Sequence, residues 1–170
     1  EAWQCQSEHM IPEIDKLLSN HGFDKKDIES VIVSIGPGSY TGIRIALTVA
    51  KVICFATKAK MIPISSLASL QNLSSPSICL MDARSNRSYF AVYQANTVIV
   101  MDKILSNDEV FSYIKEHPDY CVCGDCSYLK IDGYRNNIIE VMNVLSKTAE
   151  VVNNSIGVKP VYLKDQYGAW

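Results

Sequence analysis

A glycine-rich turn contains the residues of this sequence that are best suited to chemistry. It lies between an apolar run over residues 30–35 and a helical pattern over residues 43–56. Such a turn aims backbone N–H groups beyond a helix start, so it could cradle a phosphate, present a catalytic hydroxyl, or only let two elements pack closely. No lysine follows Gly42 and the spacing is not GxGxxG, which argues against a P-loop and an ordinary dinucleotide site. The turn comprises Gly36, Pro37, Gly38, Ser39, Tyr40, Thr41, Gly42 and Arg44.

Candidate nucleophiles and metal ligands lack the sequence partners that catalysis requires. Ser39 and Thr41 are followed by no histidine in a context that suggests a triad. His9 lacks a second histidine four residues away, because those positions hold Cys5 and Glu13. We therefore predict no catalytic residue, no metal site and no other cofactor.

One carboxylate, Asp82, has two interpretations. It ends an apolar run, a position at which α/β folds often place a catalytic acid. The alternative is a turn aspartate whose side chain bonds the local backbone beside Arg84. We favour the turn. The carboxylates Asp15, Asp24, Asp27, Asp82 and Asp125 are spread singly, with no pair at helical spacing inside an apolar run.

The cysteines give a separate hint of chemistry. Cys54 and Cys79 lie within apolar runs, where a thiol behaves as a small hydrophobe. Cys121, Cys123 and Cys126 form one CxC and one CxxC, which could indicate metal or redox chemistry. A closed zinc site needs four ligands, and no second CxxC or histidine pair follows at zinc-finger spacing. We predict buried structural thiols and a reducing, cytoplasmic setting.

Composition places the chain among ordinary globular proteins. Its 170 residues are 48% hydrophobic and 20% charged, enough for a core and for one or two small domains. The net charge of −2 provides no bulk attraction to nucleic acid, so an RNA contact would need a local patch or a partner. No stretch reaches the apolar length of about 18 residues that a membrane span needs, so we expect no membrane contact.

The hydrophobic pattern predicts mixed helices and strands in two groups. The first contains an amphipathic helix at 7–21, a strand at 30–35, the helix at 43–56 and a strand at 61–64. Ser74-Ser75-Pro76 is the clearest boundary. The second group has predicted strands at 78–81, 89–93, 98–101, 120–123 and 138–142, a capping-box helix from Ser106 to His117, and a helix at 144–152. This mixture indicates an α/β or α+β architecture.

The turn and four other segments resemble the bacterial TsaB (YeaZ) family. In that family a GPGS-aromatic-TG-[IL]-R-[IV] turn opens a helix, and residues 36–45 here read GPGSYTGIRI. Residues 7–18 resemble its HSE-x-LLP-x-I-x-x-LL helix, and residues 82–84 (DAR) with Tyr89 resemble its DAR-x-x-x-x-Y hairpin. Gly124-Asp125 is similar to its mid-chain GD, and residues 160–164 (PVYLK) to its terminal PVYLR. The resemblance covers nearly the whole chain, although Arg87 stands where members commonly have an acidic residue.

The resemblance implies an α/β fold of the actin/Hsp70-like (ASKHA) type, with two lobes of mixed sheets flanked by helices. Residues 1–73, joined by the C-terminal segment 156–170, would form the first lobe, and residues 77–155 the second. The family's opening strands have no counterpart here, so we expect the N-terminal strands of the first lobe to be missing from this sequence.

The resemblance also implies a function. The chain would be a non-catalytic partner or scaffold that binds and activates a TsaD-type protein, which transfers threonylcarbamoyl to the adenosine next to the anticodon of tRNA. A TsaE-type ATPase would join the larger complex, tRNA contact would be indirect, and the chain alone would form a homodimer. A sugar-kinase-like phosphotransferase and a glycoprotease-like peptidase remain alternatives. The expected interface combines a stripe on the first helix with the exposed side of the second: Met10, Ile14, Leu17, Leu18, Ile43, Leu47 and Lys51.

Overall fold

Helices and strands alternate in the first half of the chain, and strands dominate the second half. The structure is a computed structural model that describes residues 6–163. Its α-helices are α1 Gln6–Asn20, α2 Tyr40–Thr57, α3 Asn107–Glu116 and α4 Ile138–Ser146. Its strands are β1 Ser30–Ser34, β2 Lys60–Ile64, β3 Ser77–Arg84, β4 Arg87–Gln94, β5 Thr97–Ser106 and β6 Cys121–Cys123. Short 3-10 turns lie at Lys25–Asp27, Ala68–Leu70, Ser127–Leu129 and Ser155–Gly157.

Strands β1 and β2 form a parallel pair joined by α2. Ser30 lies opposite Lys60 at one end of the pair, and Ser34 lies opposite Ile64 at the other. Parallel neighbours require a long crossover, which α2 provides. The helix packs against both strands and contributes Leu47, Ala50 and Cys54 to a buried cluster with Val33, Ala59 and Met61. The glycine turn therefore lies at the carboxyl end of β1, where the crossover begins.

The second sheet has the strand order β5-β4-β3-β6 and is mixed. Strands β3, β4 and β5 form an antiparallel meander, and β6 runs parallel to β3. Helix α3 contacts β4 and β5. Its capping box, predicted from Ser106 and Glu109, is confirmed, because each side chain accepts a hydrogen bond from the backbone N–H of the other residue.

One buried cluster joins the two groups of elements. It contains Ile62, Ile64 and Leu67 from the first group, Cys79, Ala91 and Tyr93 from the second sheet, and Val141 and Leu145 from α4. A polar contact crosses the same boundary, since the Ser65 hydroxyl donates to the Asp102 carboxylate at 2.5 Å. The division into lobes at residues 73–77 and 155 stays a prediction.

The prediction for the segment after residue 137 is wrong. The apolar pattern predicts a strand at 138–142 and a helix at 144–152, whereas residues 138–146 form α4. A short apolar run fits the period of a strand or of a helix. Asn137 decides between them, because its side chain accepts a hydrogen bond from the N–H of Ile139 at 3.2 Å and so caps a helix. Beyond α4, Val152 forms a β-bridge with Met61.

Helix α2 is longer and more apolar than the sequence analysis allowed. By length and composition alone it could cross a membrane, so the statement that no stretch reaches this length was wrong. The helices of soluble cores pass the same test. Because α2 buries Leu47, Ala50 and Cys54 against β1 and β2, the apolar residues on that side of the helix have an explanation within the fold.

Candidate functional site

The glycine turn is fixed by hydrogen bonds on both sides. The carbonyl of Gly36 accepts the N–H of Ser66 at 2.8 Å, and the N–H of Val161 donates to the carbonyl of Ile35 at 2.8 Å. Gly36 and Gly38 have φ angles of +111° and +148°, in the region that favours glycine. The turn thus brings β1, the start of α2 and the segment around Val161 together, as its close-packing interpretation requires.

The two candidate nucleophiles of the turn, Ser39 and Thr41, differ in their surroundings. Ser39 is the N-cap of α2, and its Oγ accepts the N–H of Gly42 at 3.2 Å. Thr41 is exposed in the first turn of α2. The three histidines lie apart: His9 and His21 are exposed at α1, and His117 stacks between Tyr113 and Tyr120. Within residues 6–163, no group of three or more His, Cys, Asp or Glu side chains could hold a metal ion.

An aromatic stack stands beside the turn. The rings of Tyr40 and Tyr162 are stacked with their centroids 5.1 Å apart. The Arg44 guanidinium lies 3.9 Å from the centroid of the Tyr40 ring, and its Nε donates to the Tyr162 hydroxyl at 2.7 Å. That hydrogen bond is the main cause of the raised pKa of Arg44. The contacts hold an exposed cation in a fixed position against two aromatic rings.

A cavity of about 610 Å³ opens next to this stack. Tyr89 of β4 lines it from the second sheet, together with residues of the turn and residues 161–163. The turn approaches the same sheet at Gly38, where an added Cβ would lie 3.4 Å from the Met81 side chain. The cavity is lined by Pro37, Gly38, Tyr40, Tyr89, Val161, Tyr162 and Leu163.

A second opening contains the two motif carboxylates. Asp82 and Asp125 both line a space of about 420 Å³ at the carboxyl ends of the parallel strands β3 and β6. Asp82 accepts the backbone N–H of Arg84 at 2.8 Å, so the turn interpretation is confirmed. Asp125 accepts hydrogen bonds from the hydroxyl and N–H of Ser127, which lower its pKa, and it also pairs with Arg135 at 3.2 Å. Both carboxylates are thus engaged by neighbouring groups.

The described cysteines are reduced and mostly buried. Cys54, Cys79, Cys123 and Cys126 are buried, while Cys121 is partly exposed. The sulfur atoms of Cys121 and Cys123 lie 3.7 Å apart on one face of β6. Burial raises the pKa of Cys54 and Cys121, and raises that of Cys126 to about 11. The predicted burial is confirmed at four positions, and Cys5 lies outside the described residues.

The structure corrects the predicted interface on α2. Ile43 and Leu47, expected on its exposed side, are only 7% and 3% exposed. They lie on the side of the helix that faces the core, in the same i, i+4, i+7, i+11 series as Ala50 and Cys54. Lys51 is half-buried, and its Nζ donates to the carbonyl of Ile156 at 3.0 Å.

Other apolar residues of α1 and α2 are exposed instead. Helix α1 packs against α2, and its Met10, Ile14 and Leu18 are half-buried. Leu17 is 60% exposed. Phe23, just after α1, and Phe55 on α2 are exposed to a similar extent. We call the exposed set the α1–α2 surface: Ile11, Leu17, Phe23, Val52 and Phe55.

Tyr89 and Tyr162 were not predicted to share a site. Both belong to segments that resemble family motifs, but nothing in their spacing from the glycine turn predicts a contact. Val52 and Phe55 were not predicted to be exposed either. The sequence does indicate that some apolar residues of α2 must be exposed, since this helix is apolar on most sides and only one side can face the sheet.

Comparisons with known proteins identify the family. A family model described as "TsaD: tRNA N6-adenosine threonylcarbamoyltransferase" matches residues 1–114, about two thirds of the chain. Relatives named tRNA threonylcarbamoyladenosine biosynthesis protein TsaB include one from Haemophilus influenzae, 27% identical over 128 residues. The match covers 72% of this chain and 52% of that relative. The chain belongs to the TsaB (YeaZ) family.

Further similarities agree with this membership. TsaB of Bacillus subtilis is 34% identical over 94 residues, which cover 49% of this chain and 38% of that protein. This TsaB-family chain therefore spans about half or less of the length of these curated relatives. YeaZ from Pseudomonas aeruginosa has a TM-score of 0.74 at 19% identity, over 94% of this chain and 85% of that one. The expected α/β actin-like fold, with mixed sheets flanked by helices, is confirmed.

Proposed function

We propose that this chain acts in the biosynthesis of threonylcarbamoyladenosine in tRNA, as a non-catalytic partner of a TsaD-type protein. The proposal includes a TsaE-type ATPase in the larger complex, a homodimer when the chain is alone, and a cytoplasmic location. It is supported by the family membership and by the names of the relatives. The observation that points to a partner is the α1–α2 surface.

The α1–α2 surface has the composition of a binding face. Leu17, Phe23 and Phe55 are each more than half exposed on or beside two helices that pack against each other. Large aromatic and aliphatic side chains at such positions are typical of interface centres, because burying them releases about 25 cal/mol per Å² of apolar surface. The occupant that we propose is the TsaD-type subunit, and a second copy of this chain when that subunit is absent.

Charge substitutions on this surface test the proposal. Leu17→Glu and Phe55→Glu should abolish co-purification with the co-expressed TsaD-type subunit, since a bound partner would bury an unpaired carboxylate. Ile139→Glu is the matched control, because Ile139 is 79% exposed on α4, a helix that contributes nothing to the α1–α2 surface. Sedimentation of the isolated variants measures the homodimer, and circular dichroism verifies folding. Folded Leu17→Glu and Phe55→Glu variants that still bind the TsaD-type subunit would contradict the proposal.

The non-catalytic part of the proposal is tested separately. It is supported by the use of Ser39 as a helix cap and by the engagement of Asp82 and Asp125 in local hydrogen bonds. We expect the purified chain to hydrolyse neither ATP nor a protein substrate. Turnover that a point substitution in this chain removes would instead support the phosphotransferase or the peptidase.

A further inference from the structure

We infer that the cavity beside the glycine turn receives an unpaired base of RNA. We call it the tyrosine cavity, after Tyr40, Tyr89 and Tyr162 in its lining. The inference rests on the proposed function in tRNA modification, which brings an RNA loop to the complex. It departs from the expectation that tRNA contact would be indirect.

The size and lining of the tyrosine cavity suit a planar ring. Its volume of about 610 Å³ falls within the range of about 300–1,000 Å³ that is usual for small-ligand sites. Three tyrosine rings reach it from helix α2, strand β4 and the C-terminal segment. Proteins that bind single-stranded nucleic acid stack bases on such rings, which accept any base because every base has a π face.

Arg44 supplies the charge that a nucleotide would need. Its guanidinium is stacked on Tyr40 and tied to the Tyr162 hydroxyl, so the cation is already positioned beside the rings. Guanidinium planes stack on unpaired bases and also pair with phosphate. A cation next to an aromatic slot suits a base within a phosphate-linked strand better than it suits an uncharged ring.

The overall charge indicates which form of RNA would bind. With a net charge of −2, the chain has no general attraction for a duplex backbone. Loop bases are unstacked and can enter a cavity, whereas bases in a helix cannot. We therefore expect weak binding that requires unpaired bases, tolerates changes of base identity and depends on salt.

The direct test uses the full chain and three probes. A fluorescently labelled RNA stem with an unpaired loop should bind, while the same stem as a closed duplex should bind at least tenfold more weakly. Tyr89→Leu and Arg44→Gln should each weaken loop binding by about tenfold. Tyr134→Leu is the matched control, since Tyr134 is 46% exposed and lies outside the cavity lining. Adenosine monophosphate, the third probe, should compete poorly.

Several results would overturn the inference. Equal binding of loop and duplex, or equal loss in the Tyr134→Leu control, would show that the cavity is not the site. Adenosine monophosphate competing as well as the RNA would show a free-nucleotide site instead. Loss of the TsaD-type subunit in Tyr89→Leu with unchanged RNA binding would assign the cavity to a protein side chain. Co-purification of the TsaD-type subunit, measured without RNA, separates failure of this inference from failure of the proposed function.

Discussion

Gly36 lies against the backbone of Val161, and a Cβ added at position 36 would stand 2.5 Å from the Val161 carbonyl oxygen. The neighbouring residues are joined as well, through the hydrogen bond from the Val161 N–H to Ile35. The first glycine of the turn is therefore needed where the segment around Val161 crosses the end of β1. This contact also sets one wall of the tyrosine cavity, since Val161 lines it.

We expect Gly36→Ala to lower the free energy of unfolding by about 2 kcal/mol or more, because the φ of +111° and the backbone contact both oppose a side chain. Gly38→Val should cost about 1–3 kcal/mol for the same conformational reason. Gly42→Ala is the control: Gly42 is inside α2, and an added Cβ would meet only the Ser39 side chain, at 3.3 Å. Urea denaturation measures all three, and equal midpoints for Gly36→Ala and Gly42→Ala would refute this account of the turn.

Leu47 provides a test of the corrected interface. Leu47→Ala should reduce stability by about 2–5 kcal/mol, because it empties a site in the core between α2 and the β1–β2 pair. The exposed Val52 on the same helix is the control, and Val52→Ala should change stability by less than about 1 kcal/mol. Thermal melting at several denaturant concentrations measures the stability of each variant relative to the parent. If Leu47→Ala were as stable as Val52→Ala, the conclusion that Leu47 is buried in the core would be contradicted.

The capping box of α3 should make stability depend on pH. Hydrogen bonds from the Ser106 hydroxyl and N–H hold the pKa of Glu109 below its ordinary value of 4.5. A carboxylate with a lowered folded-state pKa stabilises the fold above its unfolded pKa, and this contribution is lost as the pH falls through the folded value. The melting temperature of the parent should therefore exceed that of Glu109→Gln at pH 7, and the gap should close below pH 4.5. A gap that widens on acidification would show that the carboxylate is not the stabilising form.

Access to solvent should decide which thiol reacts, and Cys121 is the one described cysteine that is partly exposed. At neutral pH we expect iodoacetamide to label Cys121 in the native protein far faster than Cys79, Cys123 or Cys126, because those three are buried and a buried thiol is shielded from the reagent. Peptide mass mapping after a short pulse identifies the labelled site. A chelator should leave the melting temperature unchanged. Stoichiometric zinc together with unfolding on chelation would reveal a structural metal site.

The sequence alone determined the features that depend on neighbours in the chain. The Ser106–Glu109 capping box and the Asp82 turn both form as predicted. Each needs only particular residue types two or three positions apart, so the spacing encodes the geometry. The motif around the glycine turn likewise identified the family before any contact was known.

Only the tertiary structure decided which side chains face the core and which separate elements come into contact. Helix α2 is apolar on most sides, so its sequence could not show that Ile43 and Leu47 face the core while Val52 and Phe55 face outward. The tyrosine cavity depends on Tyr40, Tyr89 and Tyr162, which come from separate parts of the chain. Tyr162 also meets Arg44, 118 positions away, because the segment around Val161 packs against the glycine turn. Such contacts follow from how separate elements pack, and no local pattern of residues specifies that packing.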